Sequence, residues 1–381
     1  MIFLGKRQNG EGTIYQRSDG LWIAEITLGY KEDGKRIKKR LSSKNLDELK
    51  KKLNDGRYLN DRNMVSAPTD YTVFTWLDFW LETYKKQSVK STTYDMYYNV
   101  IHTHLKPAIG NYKLDAVTPI LVQKMINNFS DSGSADKKGL SLSSVKKILL
   151  TLSQAYTMAI SAGLLHNNPC KNIVLPKKEP KKAVAFTVDE QERFLSFCTD
   201  NTTYQNLFVF AFNTGMRMGE LLALTWDDYD KDKKTITVNK SLSVVRDYSD
   251  NDDKQKTVIN STKTESGTRE IPLTKTAIGI MSEQFKKYGD KSAFVFCSEK
   301  GTPLMKRNIY RAFNGIIEKA KIQSPVTFHS FRHSFATRLL EKGADIKTVS
   351  NLLGHKSIQI TLDIYSHVSS DLKQKTISLL E

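Results

Sequence analysis

A helix end and a helix start meet in Thr214-Gly215-Met216-Arg217-Met218-Gly219-Glu220-Leu221. The apolar run Phe208–Phe212 predicts a helix that ends at Gly215, and a second helix is predicted to begin near Arg217. An arginine at a helix start points toward whatever docks there, and the neighbouring N–H groups favour anions. Glu220 follows three residues later and could orient the guanidinium. The alternative is a surface arginine that simply pairs with Glu220.

A second cluster lies about a hundred residues further along, in a helix predicted over Val326–Leu340. Its spacing places His329 and Arg332 on one helix face. His333 is also one turn from His329, which raises the possibility of a zinc site. However, no glutamate follows His329 in the H-E-x-x-H manner, and no cysteine cluster is near. We therefore expect no metal.

Two further reactive positions are His355, in Leu353-Gly354-His355, and Tyr365, ten residues later. Four of the seven histidines fall between positions 329 and 367, and this clustering indicates a site. Lys263 precedes the turn signal Ser266-Gly267 in a hairpin predicted over 262–273. A lysine on a hairpin tip can swing into a minor groove or onto a leaving oxygen.

Together these side chains suit phosphoryl transfer. Two arginines, a lysine and two histidines can stabilise a doubly negative phosphorane, and a tyrosine can be the nucleophile that forms it. Taken one at a time, each residue also fits an ordinary structural role. The set, its order and its local contexts carry the interpretation.

Length, charge and apolar content limit the classes of protein to which this chain can belong. The 381 residues are enough for two or three domains, and the net charge of +17 favours a polyanionic partner. An acidic membrane is the competing partner, but no amphipathic terminal helix gathers the basic residues. No long apolar run or signal-peptide core is present, so we expect a soluble, DNA-associated protein of the bacterial cytoplasm. The three distant cysteines are expected to be buried free thiols.

Three domains are predicted: 1–66, 70–175 and 184–381. The first is a three-stranded sheet followed by a helix over Leu46–Leu53, which Asn45 and Glu48 would open as a capping box. The second is all helical, with apolar stripes at helical spacing such as Val145, Ile148, Leu149 and Leu152. The third is mainly helical with a small antiparallel sheet. The fold class is therefore multidomain α+β. A Pro- and Lys-rich linker, 176–182, is predicted before the third domain.

Two basic segments are candidate DNA contacts. The third predicted strand of the first domain is strongly basic, and a three-stranded sheet can place such a strand in a major groove. The alternative is lysine protection of a sheet edge. The linker would gain from its charges if it crossed DNA. The residues concerned are Arg36, Lys38, Lys39, Arg40, Lys177, Lys178, Lys181 and Lys182.

The chain resembles the tyrosine recombinase, or phage integrase, family. The matching stretches are TGMRMGELLALTW at 214–226, TKTESGTREIPL at 262–273, HSFRHSFAT at 329–337 and LLGHKSIQITLDIYSH at 352–367. The catalytic match covers roughly residues 184–370. The two preceding domains are similar in layout to those of integrases of temperate phages and conjugative transposons.

The resemblance implies a division of labour. Tyr365 would attack the scissile phosphate to form a 3′-phosphotyrosyl link, and Lys263 would protonate the leaving 5′-oxygen. Arg217 and Arg332 would hold the non-bridging oxygens, and Glu220 would support these arginines. His329 and His355 would assist proton transfer. One phosphoester replaces another, so no cofactor or metal is required.

The resemblance also implies a site-specific recombinase that integrates and excises a mobile element through a Holliday junction. The 1–66 domain would bind arm-type sites, and the other two domains would clamp the core site within a tetramer. A small accessory protein is expected to control direction. Two alternatives remain open: a type IB topoisomerase that relaxes DNA without synapsis, and a relative that binds DNA but has lost catalysis.

Overall fold

The computed structural model describes residues 13–30, 36–61, 70–133, 139–177, 184–198, 202–248, 255–261 and 267–365. The chain forms two compact units, Met1–Pro180 and Lys181–Glu381. This boundary falls inside the segment predicted to be a linker, whereas the further division near residue 66 stays a prediction. Among the described helices, none has the length and apolar character needed to cross a membrane.

The first unit opens with an antiparallel sheet in the order β1-β2-β3, as predicted: β1 is Thr13–Gln16, β2 is Trp22–Tyr30 and β3 is Arg36–Ser43. Helix α1, Leu46–Asp61, extends eight residues beyond the predicted end at Leu53. A small apolar core joins the helix to the sheet through Ile14, Ala24, Leu49 and Leu53.

The start of α1 differs in detail from the predicted capping box. Asn45 Oδ1 accepts the Asp47 N–H at 2.8 Å, as a helix cap should. The Glu48 carboxylate does not accept the Asn45 N–H directly. It accepts the Ser43 hydroxyl at 2.7 Å, and the Ser43 oxygen accepts the Asn45 N–H at 3.1 Å. The Ser43 hydroxyl thus connects the Asn45 N–H to the Glu48 carboxylate.

The described remainder of the first unit is mainly helical and includes two π-helical turns and a 3₁₀ turn at Leu114–Ala116. The α-helices are α2 Val73–Trp80, α3 Ser91–Asn99, α4 Lys106–Ile109, α5 Pro119–Asp131 and α6 Leu142–Ser161, and the π turns are Leu81–Lys85 and Val100–Leu105. The predicted apolar stripes are largely buried. The Trp76 indole N–H donates to the Ala155 carbonyl at 2.9 Å, which ties α2 to α6 inside this core.

The second unit is mainly helical. Its helices are α7 Val188–Ser196, α8 Thr202–Thr214, α9 Met218–Ala223, α10 Lys275–Tyr288, α11 Lys306–Lys319, α12 His329–Glu341, α13 Ile346–Leu353 and α14 Ile358–Tyr365. Stacked and edge-to-face phenylalanines from α7, α8, α11 and α12 fill its core. The N-terminal end of α12 lies beside this core, so the histidine and arginine on it are held by packing.

Among the described residues, two small antiparallel sheets complete the second unit. Strands β4 Tyr229–Asp230, β5 Thr235–Val238 and β8 Arg269–Pro272 form one sheet, and β6 Lys240–Arg246 pairs with β7 Gln255–Ser261 in the other. The first half of the hairpin predicted over 262–273 lies outside the described residues, and β8, in its second half, pairs with β5. That register places Ile271 opposite Ile236, and both side chains are buried.

The predicted start of α12 at Val326 was wrong, because the helix begins at His329 and ends at Glu341. A tight turn precedes it: the Thr327 N–H donates to Ser330 Oγ at 3.0 Å, and the Ser330 N–H donates to the Thr327 carbonyl at 2.8 Å. The α8 end and the α9 start, and the multidomain α+β class, are as predicted.

Candidate active site

Arg217 and Glu220 hold each other at the start of α9. Arg217 is the N-cap residue, and its N–H donates to Glu220 Oε2 at 2.9 Å, while its Nη1 donates to Oε1 at 2.7 Å. The Glu220 side chain is 4% exposed, whereas the Arg217 side chain is 41% exposed. The buried carboxylate therefore holds an arginine that still reaches solvent.

Arg269, which sequence reasoning did not single out, binds the same carboxylate from the other side. It opens β8, is buried, and donates through Nη2 to Glu220 Oε2 at 2.8 Å and through Nη1 to Oε1 at 3.3 Å. The only sequence signal was strand alternation, which places Arg269 on the same face as the apolar Ile271. A charge on a core-facing strand position needs a buried partner, and Glu220 supplies it.

The C-terminal end of α13 gathers three arginines. The last carbonyls of a helix have no partner within the helix. Here the carbonyls of three successive residues each accept from a different guanidinium. Arg269 Nε donates to Leu352 at 2.7 Å, Arg332 Nη2 to Leu353, and Arg217 Nη2 to Gly354 at 3.3 Å. The negative end of the helix dipole adds to this attraction.

His355 follows directly after this helix end. Gly354 adopts the left-handed conformation that closes α13, and the His355 N–H donates to the Ser350 carbonyl at 3.1 Å. His355 Nδ1 lies 2.8 Å from Thr361 Oγ1, within hydrogen-bonding distance. Burial, then the charges of Arg332 and Arg217, lower the pKa of His355 to about 3, so the imidazole is neutral at pH 7.

His329 and His333 lie on α12, with ring centroids 4.7 Å apart. Burial, then the charge of Arg332, lowers the pKa of His329. Burial, then His329, lowers the pKa of His333 to about 4. Within the described ranges, no group of three histidine, cysteine or acidic side chains is arranged to hold a metal ion.

Arg332 is far more enclosed than a phosphate clamp is expected to be. The residue is 1% exposed, and its Nη1 donates to the Gly215 carbonyl at 3.0 Å. Its Nε has no hydrogen-bond partner among the residues that the structure describes. Burial lowers the pKa of Arg332 to about 9, which still leaves it protonated at pH 7. Helix α14 packs against both α12 and α13 in this region.

The remaining predicted site residues are described only in part. Tyr365 is the last residue of α14, ten residues after His355. Lys263 lies outside the described residues, as do Lys178, Lys181 and Lys182. On β3, the Arg40 Nε donates to Glu25 at 2.7 Å, so part of that strand's charge is already paired. Arg36, Lys38 and Lys39 belong to the same strand, and Lys177 is exposed.

Comparison with known families gives two matches. Residues 185–371 match the phage integrase family, and residues 72–130 match its N-terminal SAM-like domain. The first match contains all of the predicted catalytic positions. The second runs from the N-cap of α2 to the residue before the end of α5.

Relatives among known proteins agree. The chain is 29% identical to a XerC-like tyrosine recombinase of Caldanaerobacter subterraneus subsp. tengcongensis, over 92% of this chain and 93% of the relative. It is 30% identical to the tyrosine recombinase XerD of Listeria innocua serovar 6a, over 62% of this chain and 75% of that protein.

Two solved structures share the fold. The Tn1549 transposon integrase bound to circular-intermediate DNA superimposes with a TM-score of 0.66 at 22% identity, over 82% of this chain and all of that one. A lambda integrase tetramer bound to a Holliday junction gives 0.62 at 20% identity, over 94% of this chain and 96% of that one.

Proposed function

This chain belongs to the phage integrase family of tyrosine recombinases, and we propose that it is a site-specific DNA recombinase with Tyr365 as its nucleophile. Its activity is DNA strand transfer. The relatives are recombinases and integrases by name, which favours recombination over the topoisomerase and non-catalytic alternatives.

One observation carries the assignment of roles. The helix end at 352–354 holds Arg217 and Arg332 within hydrogen-bonding distance of adjacent carbonyls, directly before His355. Guanidiniums are permanently charged, and their forked donors match the oxygens of a phosphate. Such a concentration of fixed positive charge suits the phosphorane, whose negative charge grows during the reaction.

In the proposed reaction, the Tyr365 hydroxyl oxygen bonds to the scissile phosphorus while the bond from phosphorus to the 5′-oxygen breaks. The tyrosine becomes linked to the DNA 3′-phosphate, and the 5′-oxygen leaves as a hydroxyl after taking a proton from Lys263. Arg217 and Arg332 hold the non-bridging oxygens. Attack of a 5′-hydroxyl on the phosphotyrosine reverses these steps and joins a new strand.

The histidines support this chemistry in neutral form. Their lowered pKa values leave His329 and His355 uncharged at pH 7, so each ring offers one donor and one acceptor nitrogen. A neutral imidazole can accept the tyrosine proton or donate to a phosphate oxygen. Because Arg332 is nearly inaccessible, we propose that α14 shifts from α12 when DNA docks.

The proposed partners are DNA sites and further copies of the chain. The lambda integrase tetramer on a Holliday junction supports a tetramer in which two rounds of strand exchange occur. We assign arm-site binding to residues 1–66 and core-site binding to the remaining domains. A small accessory protein that sets direction, and action in the bacterial cytoplasm on a mobile element, belong to the same proposal.

A nicked suicide substrate tests the nucleophile. Loss of the short fragment below the nick traps the covalent intermediate, so the wild-type protein should accumulate an adduct that peptide mapping assigns to Tyr365. Tyr365→Phe should bind the same DNA and form no adduct, because the attacking oxygen is gone. Tyr112→Phe, which removes an exposed hydroxyl from the first unit, is the matched control. An undiminished adduct in Tyr365→Phe would rule the assignment out.

A further inference from the structure

The charged groups at the helix end do not cancel. Arg217, Arg269 and Arg332 are three positive charges, and Glu220 is one negative charge, all linked by the contacts described above. The neighbouring histidines are neutral at pH 7. These four groups therefore sum to two net positive charges, before Lys263 is counted, and they oppose the two negative charges of a phosphorane.

Exposure separates the two arginines that share Glu220. The Arg217 side chain is 41% exposed, and the Arg269 side chain is 5% exposed. A phosphate can reach Arg217. All three nitrogens of the Arg269 guanidinium already donate to protein groups, namely Glu220, the Leu352 carbonyl and the Gly267 carbonyl.

We infer that Arg269 is a positioning residue that neutralises Glu220, so that Arg217 keeps its positive charge available for the scissile phosphate. The inference rests on the proposed function and extends it to a residue outside the six predicted catalytic positions. Without Arg269, the whole charge of Glu220 would fall on Arg217, and the phosphate would compete with a buried carboxylate for the same guanidinium.

The ionised state of Glu220 is consistent with its neutralisation by Arg269. Burial alone would raise the pKa of Glu220. The hydrogen bonds and charge of Arg269 lower it more than the charge of Arg217 does, and the net shift is downward. Both arginines therefore keep the buried carboxylate ionised, and Arg269 does so through two side-chain hydrogen bonds.

The inference is tested by comparing cleavage of the suicide substrate by Arg269→Gln and by a double variant that also carries Glu220→Gln. Arg269→Gln leaves one net positive charge, and we expect single-turnover cleavage to slow about 10- to 100-fold, the range for losing a charge-assisted hydrogen bond. Adding Glu220→Gln restores two positive charges, and we expect the double variant to cleave at least several-fold faster than Arg269→Gln. A double variant no faster than the single one would overturn the inference.

A neutral scissile group provides a readout that a purely structural defect would not move. A methylphosphonate at the cleavage position removes one negative charge, so the need for a free Arg217 charge falls. The defect of Arg269→Gln should then shrink to within about threefold of wild type. An equal defect on both substrates would assign Arg269 to fold stability alone.

Failure of the proposed function and failure of the role of Arg269 give different results in these assays. A wild-type protein that forms no adduct would overturn the proposed function, whereas an active wild type with no charge-dependent defect would overturn only the role of Arg269. If Arg269→Gln does not fold, Arg269→Lys carries the test, because it keeps the charge and loses the fork. Its cleavage defect should be smaller than about tenfold on the phosphodiester, and a larger, substrate-independent defect would contradict the inference.

Discussion

At the residue scale, burial and neighbouring arginines together set the ionisation of the groups in the site. Three histidines lie beside guanidiniums and are held neutral, and one carboxylate is held ionised while almost wholly buried. Among the described site residues, the fixed positive charge thus comes from the arginines, and each neutral imidazole offers one donor and one acceptor nitrogen.

The lowered pKa of His333 predicts acid sensitivity. Its pKa falls from 6.5 to about 4 on folding, so between these values the unfolded chain binds more protons than the folded one. The stabilising contribution is complete above pH 6.5 and is lost as the pH falls toward 4. Lowering the pH from 7 to 5 should cost the wild type about 2 kcal/mol of unfolding free energy more than His333→Gln. Urea unfolding at both pH values measures this, and equal losses in the two proteins would contradict it.

Sequence reasoning proposed the clamp arginines and the supporting Glu220, but not Arg269. Arg217 and His355 stand in short contexts that mark helix boundaries, so their proximity to a helix end could be expected. Arg269 is one of 58 lysines and arginines, and only its burial opposite Glu220 distinguishes it. The enclosure of Arg332 was equally unpredictable, because it depends on how α14 packs.

At the element scale, the junction between α8 and α9 controls the position of two catalytic candidates. Gly215 ends α8 with φ of +61°, and its carbonyl accepts from Arg332. An added Cβ would lie 2.6 Å from Phe335 Cδ1 and 2.9 Å from Leu353 Cδ2. The junction is therefore both left-handed and crowded, and a shift there would move Arg332 and Arg217 together.

Gly215→Ala should therefore be much more damaging than a matched glycine replacement. Gly343 has φ of +83° and open space around the position of a Cβ, so Gly343→Ala carries only the backbone cost of about 1–2 kcal/mol. Gly215→Ala adds the steric clash, and its suicide-substrate cleavage should fall at least about tenfold. Thermal unfolding and cleavage assays compare the pair. Similar stability and activity in both variants would show that the junction can relax.

Helices were predicted well because their apolar periodicity is local, as at Phe208–Phe212 and in α6. The pairing of β8 with β5 was missed because it joins residues more than thirty positions apart, across another hairpin. Short strands carry too little pattern to choose a distant partner. The choice follows from burying Ile271 against Ile236, which only the assembled core reveals.

At the scale of the whole molecule, charge and division into units suggest separate DNA contacts. The chain has a net charge of +17 and forms two compact units. The basic strand β3 belongs to the first unit, and the arginine cluster belongs to the second. Binding at one type of DNA site and cleavage at another should therefore respond to different substitutions.

Lys38→Ala combined with Lys39→Ala should weaken arm-site binding and spare core-site cleavage. The loss should be about 10- to 100-fold, and the dependence of binding on salt should become shallower, because fewer phosphates are neutralised. Lys50→Ala with Lys51→Ala removes the same charge from exposed positions of α1 and is the matched control. Titrations of arm DNA at several salt concentrations, alongside suicide cleavage, measure both effects. Equal losses of binding and cleavage would contradict separate contacts.

The acceptors at the end of α13 are main-chain carbonyls, and this has a consequence for mutational robustness. Side-chain replacements at Leu352 and Leu353 change packing but leave the oxygens that bind Arg269 and Arg332 in place. The anchoring of the arginines is thus encoded by helix geometry rather than by residue identity. Replacement of these two side chains is therefore expected to keep the carbonyl acceptors, whereas an insertion of a single residue in α13 would rotate the carbonyls away from all three guanidiniums.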